Sequence, residues 1–309
     1  MKPISRRTFV STAALAGLGA VALPVARAIE PFPRAGKPRL LLSLAAYSFR
    51  EFFSEGARPA AKAPPAEKAM DMFKFTDYCA AHGCDGAELT SYFFPKEPAT
   101  DYLVQLRRHA FLRGIAVSGT AIGNNFSHPK GEKRDREIAL CKQWIDRAAV
   151  LGTSHIRVFA GQTRELPREE ADKLVISALE ECCDYAGSKG IFLGIENHDA
   201  IGSAEHLLKL IKPVKSRWLG VNLDSGNFRT EDPYDDFAKC VPYAVNVQLK
   251  TELRRAGANA NEPADLPRFV KALRVGGYQG WVALEYEAKE DPFTAIPPAL
   301  KKLKELCAG

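Results

Sequence analysis

Features that would place this chain in a special structural class are scarce. The seven cysteines are odd in number, and no two of them form a CxxC unit. This pattern disfavours both a disulfide framework and a zinc cluster built from paired cysteines. Most of the cysteines fall in segments with helical periodicity, so we expect buried free thiols.

Charge of one sign is also scarce. The formal net charge of the 309 residues is +6, and the basic residues alternate with acidic ones through the predicted helices. Such interleaving indicates a solvated surface, so no nucleic-acid partner is expected. With 46% hydrophobic and 26% charged residues, the chain can bury a large core, and nothing in its composition indicates disorder. Composition does not predict the oligomeric state, and a homo-oligomer stays open.

A long apolar run is missing, but a short one lies near the N-terminus. Arg6 and Arg7 precede the stretch STAALAGLGAVALPV, which ends in the sequence Ala26-Arg27-Ala28. Twin arginines, a short apolar region and an A-x-A site resemble a twin-arginine export signal. The run is too short to span a bilayer permanently. We therefore predict a signal peptide at residues 1–28, cleavage after Ala28, and a periplasmic or otherwise exported mature protein with no stable membrane span.

After this segment, strand and helix patterns alternate to the end of the chain. Predicted strands cover residues 39–49, 86–90, 115–123, 155–161, 192–198, 218–227, 244–251 and 280–287. Each is followed by a helical pattern, and several helices end in glycine just before the next strand. Eight strands and eight helices predict a single-domain α/β protein, a (β/α)8 TIM barrel over residues 29–309. An open doubly wound sheet is the alternative. Residues 51–70 have loop composition and are either a lid or a surface insertion.

Four of the predicted strands end in polar residues. In the stretch WLGVNLDSGN, residues 218–227, apolar side chains alternate with polar ones and the strand ends at Asp224. The segments FLGIENH, AVNVQLKT and GWVALEYE repeat this pattern. A single Asp-Ser-Gly sequence would be read as a surface turn. Four successive strands with polar ends instead predict a site at the carboxyl ends of the barrel strands.

In a barrel, Glu196, Asp224, Gln248 and Glu285 would converge at one end. Three carboxylates in a small space repel one another strongly unless a cation screens them. Oxygen-rich ligation favours Mn²⁺, with Mg²⁺ or Co²⁺ as alternatives, over zinc. We therefore predict one divalent metal ion bound by these four residues.

Further candidates surround this predicted centre. His198 shares the strand face of Glu196 and could relay a proton or bind substrate, or could instead support Glu196. Lys250 could polarise a carbonyl, or could form a salt bridge to Glu252 or Glu287. The remaining candidates, as substrate contacts or plain structural groups, are Glu88, Asn124, Arg157, Asn227 and Glu287. Asn124 and its neighbour Asn125 are expected mainly to form a turn, with sugar contact as a secondary role.

The chain resembles the xylose isomerase-like TIM barrels grouped as sugar phosphate isomerases/epimerases over residues 39–309. The resemblance rests on IENH, NLDSGNF, VQLKTE and LEYE, together with HIRVFAG at residues 155–161. It implies a metal held by Glu196, Asp224, the strand-seven position and Glu285, with the two glutamates also moving protons. Gln248 stands where many members have histidine, which places metal binding at that position in doubt.

The resemblance implies an enzyme that removes a proton beside a sugar carbonyl and so isomerises or epimerises a sugar through an enediolate. Export argues against a phosphorylated substrate, so a free sugar or keto-sugar is expected. One alternative is a lyase or hydrolase that removes the aglycone of a 3-keto-glycoside by elimination or hydrolysis. Another is a non-catalytic carbohydrate-binding barrel. A zinc-dependent endonuclease for abasic sites is disfavoured, because it needs many histidines and the chain has six.

Overall fold

The computed structural model of the protein describes residues 29–56, 58–162 and 165–309. Its main element is a closed barrel of parallel strands. The barrel strands are β1 (Arg39–Ala45), β2 (Gly86–Thr90), β3 (Ala116–Ala121), β4 (His155–Val158), β5 (Phe192–Glu196), β6 (Leu219–Asp224), β7 (Ala244–Leu249) and β10 (Gln279–Leu284). Around the barrel they follow the order β1-β10-β7-β6-β5-β4-β3-β2. The predicted (β/α)8 barrel is confirmed, and the open doubly wound sheet was the wrong alternative.

Helices connect the strands and cover the outside of the barrel. They are α1 (Met72–Ala81), α2 (Thr100–Leu112), α3 (Glu132–Leu151), α4 (Arg168–Ser188), α5 (Ala204–Ile211), α6 (Pro233–Cys240), α7 (Leu266–Val275) and α8 (Pro292–Ala308). Local sequence fixes many of their ends. Asp71 and Ser203, for example, accept hydrogen bonds from backbone N–H groups in the first turn of α1 and α5. Gly152 ends α3 with a left-handed φ of 80°, as predicted for a glycine cap.

Two features of the connections differ from the sequence-based description. The short antiparallel pair β8 (Glu252–Leu253) and β9 (Glu262–Pro263) follows β7 and was not predicted. The predicted first strand ends at Ala45, and residues 46–49 continue as a 3-10 turn. Residues 1–28 lie outside the described residues, so the export signal and its cleavage stay predictions. Among the described helices, none combines the length and apolarity needed to cross a membrane.

The loop after β1 is anchored over the carboxyl end of the barrel. Phe53 is buried and stacks on Phe93, with ring centroids 4.3 Å apart and planes 10° apart. The backbone of Phe53 pairs with Met70, and the N–H of Arg58 donates to the Tyr92 carbonyl oxygen at 3.1 Å. Buried aromatic packing and main-chain hydrogen bonds therefore hold this loop close to the predicted site.

A buried histidine occupies the interior of the barrel next to two glycines. A Cβ atom at Gly119 would lie 2.6 Å from Nδ1 of His155, and one at Gly194 would lie 2.6 Å from its Nε2. The two glycines thus provide the space for the imidazole ring. Neither ring nitrogen has a hydrogen-bond partner among the described residues. Burial, assisted by the charge of Arg157, lowers the pKa of His155 to about 3.

This histidine predicts a specific dependence of stability on pH. An unfolded histidine has a pKa of about 6.5, so below that pH the unfolded chain binds a proton at this residue and the folded chain does not. The contribution of the neutral, buried His155 to the free energy of unfolding is complete above the unfolded pKa. It is lost as the pH falls towards the folded pKa. Relative to His155→Leu, we expect the free energy of unfolding of the native protein to fall by about 1.4 kcal/mol per pH unit below that point. Urea unfolding at several pH values measures this, and parallel curves for the two proteins would contradict it.

Candidate active site

A cavity of about 390 Å³ opens at the carboxyl ends of the barrel strands. Seven of the predicted site residues line it, namely Asn124, Arg157, Glu196, His198, Lys250, Glu285 and Glu287. Four others do not line it, namely Glu88, Asp224, Asn227 and Gln248. Of these, Asp224 and Gln248 are fully buried against residues that do. The barrel topology therefore brings the polar strand ends together in one place.

The ammonium group of Lys250 lies among three carboxylates. Its Nζ is 3.1 Å from Oδ2 of Asp224, 3.3 Å from Oε2 of Glu285 and 2.6 Å from Oε2 of Glu287. The Asp224 contact is electrostatic, because its angle is not that of a hydrogen bond. The predicted alternative of a salt bridge from Lys250 to Glu287 is present, whereas Glu252 accepts instead from Asn261.

Glu196 is paired with a second buried cation. Nε of Arg157 lies 2.9 Å from Oε2 of Glu196, an ion-pair distance without hydrogen-bond alignment. Arg157 also donates to the carbonyl oxygen of Ile122 at 2.7 Å, and its guanidinium lies 3.9 Å from the ring centre of Phe159. The other oxygen of Glu196 accepts from Nδ2 of Asn227 at 2.9 Å. Arg157 and Asn227 thus hold the Glu196 carboxyl group in position.

Gln248 belongs to a closed network of amides in the barrel interior. Its Oε1 accepts from Nδ2 of Asn222 at 2.6 Å, and its Nε2 donates to Glu88 at 2.6 Å and, more weakly, to Glu285 at 3.4 Å. Nδ2 of Asn246 completes the network by donating to both Asn222 and Glu88. Glu88 is therefore a buried partner of these amides. It was predicted to contact the substrate, but it does not line the cavity.

Burial shapes the protonation of the two glutamates. Loss of solvent raises the pKa of Glu196 to about 8, and the neighbouring Asp224 and Glu287 charges act in the same direction while Arg157 opposes them. Burial also raises the pKa of Glu285 well above its usual range, with Lys250 opposing. For Lys250, burial works against the charged form, but Asp224, Glu285 and Glu287 outweigh it and raise its pKa. The site therefore holds an ammonium group beside two carboxyl groups whose protonated form is favoured by burial.

The predicted substrate contacts at the rim take different positions. His198 lines the cavity, packs on Phe159 with ring centroids 4.4 Å apart, and has Nδ1 3.0 Å from Oδ2 of Asp199. Asn124 uses both ends of its amide on the backbone of Phe159, with distances of 2.8 and 2.9 Å. Asn124 thus connects the ends of β3 and β4. The imidazole ring of His198 is exposed to the cavity.

Sequence patterns missed several residues of the cavity wall. Tyr47 and Tyr92 pack edge to face with centroids 6.3 Å apart, and the guanidinium of Arg58 lies 3.9 Å from the centre of the Tyr92 ring. Tyr47 and Tyr92 come from short 3-10 turns just after β1 and β2. Their position directly after a barrel strand was the signal that could have identified them. Arg58 comes from the long loop and had no periodic signal.

The four predicted metal ligands do not present an open set of oxygen atoms. Gln248 directs an N–H group towards Glu285, and Arg157 contacts Glu196. Lys250 lies between Asp224 and Glu285. Across the described part of the chain, no group of three or more His, Cys, Asp or Glu side chains is arranged to hold a metal ion. This arrangement does not fit a divalent metal bound by all four residues.

A family model described as a xylose isomerase-like TIM barrel matches residues 76–306. No curated protein matches the sequence significantly. Among solved structures, an IolI protein with a bound zinc atom superposes with a TM-score of 0.67 at 17% identity, over 86% of this chain and 96% of its own.

Two sugar epimerases have the same fold. D-psicose 3-epimerase with D-fructose gives a TM-score of 0.63 at 17% identity, over 84% of this chain and 89% of its own. The 3-keto-D-glucoside 4-epimerase YcjR from E. coli gives 0.61 at 17% identity, over 87% and 100%. At these identities the likeness shows the fold alone.

Proposed function

The chain belongs to the xylose isomerase-like TIM barrel family, and from that premise we propose that it is a sugar isomerase or epimerase acting beside a sugar carbonyl. The observation that carries the proposal is the pairing of Glu196 and Glu285. Both are buried carboxyl groups that line one cavity, and burial raises the pKa of each. The epimerases with the same fold, which act on D-psicose and on a 3-keto-D-glucoside, support a sugar as the substrate.

In the proposed reaction, one glutamate carboxylate takes the proton from the carbon next to the carbonyl. The electron pair of the C–H bond forms the enediolate, whose negative charge develops on the former carbonyl oxygen. The other glutamate, in its protonated form, returns a proton to the opposite face of the same carbon, and the carbonyl re-forms. In an isomerisation the proton goes instead to the former carbonyl carbon, and the neighbouring hydroxyl proton moves to the former carbonyl oxygen as the new carbonyl forms. Glu196, with its pKa raised to about 8, accepts a proton in its ionised form, and Glu285 is suited to hold one.

Three other expectations bear on this proposal. Lysis or hydrolysis of a 3-keto-glycoside shares its first step, and the 3-keto-D-glucoside epimerase of the same fold favours it as the second candidate. The predicted divalent metal, Mn²⁺ foremost, is supported by the zinc atom of the IolI structure and opposed by the contacts of Lys250 and Gln248. His198 is proposed to contact the substrate at the rim, where its ring faces the cavity.

Proton exchange tests the function directly. We expect the wild-type protein, incubated in D₂O with ketoses and with 3-keto-glycosides, to place deuterium on the carbon beside the carbonyl of its substrate. NMR measures this exchange and identifies the product as an isomer, an epimer or an elimination product. Saturable sugar binding without exchange would support the carbohydrate-binding barrel and contradict an enzyme of this class.

A further inference from the structure

We propose that the ammonium of Lys250 supplies the positive charge of this centre, so that the reaction proceeds without a divalent metal ion. The catalytic half of this inference rests on the function proposed above. The structural half does not, because it concerns only which cation the carboxylates bind. The inference depends on three features, namely the contacts of Lys250, the space made for its side chain, and the orientation of Gln248.

Lys250 contacts the carboxylates that a metal would need. Asp224 ends β6 and Glu285 directly follows β10, and the ammonium lies 3.1 and 3.3 Å from their carboxylate oxygens. A divalent ion bound to the same oxygens would lie close to this ammonium and would be repelled by it. The carboxylates already have the counter-charge that the sequence-based argument assigned to a metal.

The surrounding chain is built to hold Lys250 in place. The N–H of Lys250 donates to Oγ of Ser225 at 2.8 Å, which anchors the backbone next to β6. A Cβ atom at Gly226 would lie 2.6 Å from Cδ of Lys250, so glycine at that position leaves the space through which the lysine stem passes. The Asp224-Ser225-Gly226 sequence, which resembled a simple turn, thus provides a carboxylate, an anchor and a channel for one side chain.

The amide of Gln248 faces the wrong way to ligate a cation, and its partners prevent it from turning. Turning the amide would place its oxygen against the carboxylate of Glu88 and its NH₂ group against the NH₂ group of Asn222. The first contact would place two hydrogen-bond acceptors against each other, and the second would place two donors against each other, in a buried network. Nε2 therefore stays directed at Glu88 and Glu285, and residue 248 contributes a donor where a metal site needs an acceptor.

An ammonium can perform the electrostatic part of the reaction. As a glutamate carboxylate takes the proton from carbon, the electron pair moves to the carbonyl oxygen, and Lys250 donates a hydrogen bond to that oxygen. Lys250 keeps its proton throughout, so no co-reactant is required. Glu287 is about one-third exposed, in contrast to the buried Asp224 and Glu285, and is the partner of Lys250 that the substrate oxygen would displace.

Metal binding tests the structural half without any assay of activity. After dialysis against EDTA and equilibration with Mn²⁺, we expect wild-type protein to retain less than about one-tenth of an equivalent of metal, and Mn²⁺ to leave its melting temperature unchanged. The double variant Lys250→Met/Gln248→His removes the ammonium and restores an imidazole ligand, so we expect it to bind Mn²⁺ about 100-fold more tightly than wild type. Lys250→Arg keeps the positive charge and should bind no metal, which covers the case in which the methionine variants fail to fold.

Exchange in D₂O tests the catalytic half. We expect EDTA to leave wild-type exchange unchanged, and Lys250→Met to reduce it about 10²- to 10³-fold with no recovery on adding Mn²⁺. The surface variant Lys239→Met is the matched control. One equivalent of Mn²⁺ on the wild type, with exchange lost in EDTA and restored by the metal, would overturn this inference and leave the proposed function standing. Absence of both metal and exchange would contradict the catalytic half and the proposed function, while supporting the replacement of the metal by Lys250.

Discussion

Replacing either Glu196 or Glu285 by glutamine is expected to abolish most conversion of substrate to product, with a loss of at least ~10³-fold. Glutamine has nearly the same shape as glutamate but cannot accept or return a proton at neutral pH. Because the two residues act at successive steps on one substrate, either change alone should remove turnover. NMR of product formation, measured with the substrate identified for the wild type, gives the size of the loss, and deuterium exchange shows which variant still removes the proton.

The pH dependence and a control variant sharpen this test. Only the ionised form of Glu196 can accept a proton, so wild-type exchange should increase as the pH rises through about 8. Glu88→Gln makes the same chemical change at a buried carboxyl group that lies outside the cavity wall. We expect that variant to be less stable but to retain exchange within about tenfold of wild type. If either the Glu196 or the Glu285 variant kept wild-type turnover, the assignment of that residue would be wrong.

The sequence predicted the barrel well because its signals are local. Alternation along a strand and glycine at the end of a helix depend on neighbours in the chain, as at Gly152. The same alternation, combined with the barrel topology, predicted that Glu196, Asp224, Gln248 and Glu285 would converge at one end. The register of the sheet then placed Asn222 beside Asn246 and Asp224 beside Gln248.

What the sequence could not predict depends on contacts between distant segments. The orientation of Gln248 follows from amides on neighbouring strands, which spacing along one strand does not reveal. The central position of Lys250 depends on the space at Gly226, on a different strand end. Arg58 reaches the cavity from a loop that has no periodicity, and its contacts with the backbone and ring of Tyr92 hold it there. The placement of Lys250 puts an ammonium group between two carboxylates that the sequence-based prediction assigned to a metal ion.

Arg157 was predicted from the sequence as a substrate contact, and its surroundings now predict a large structural effect. Its side chain is almost fully buried, pairs with Glu196 and donates to the Ile122 carbonyl oxygen. Arg157→Met keeps much of the apolar stem but, at a pH above about 8 where Glu196 is ionised, leaves the Glu196 carboxylate without its counter-charge. Breaking a buried pair by removing one partner destabilises a protein by about 3–5 kcal/mol, and we expect a loss of that size.

Denaturant unfolding of the wild type, Arg157→Met and Arg157→Lys provides the measurement. Arg157→Lys retains a positive charge but lacks the planar group that contacts both Glu196 and Ile122, so its loss should be smaller. Exchange kinetics on the same three proteins separate anchoring from substrate binding. If Arg157 positions Glu196, kcat should fall in the variants while KM changes little, because the proton acceptor is no longer held in place. A loss of stability below about 1 kcal/mol together with a raised KM would instead identify Arg157 as a substrate contact, since surface-like contacts contribute little to folding.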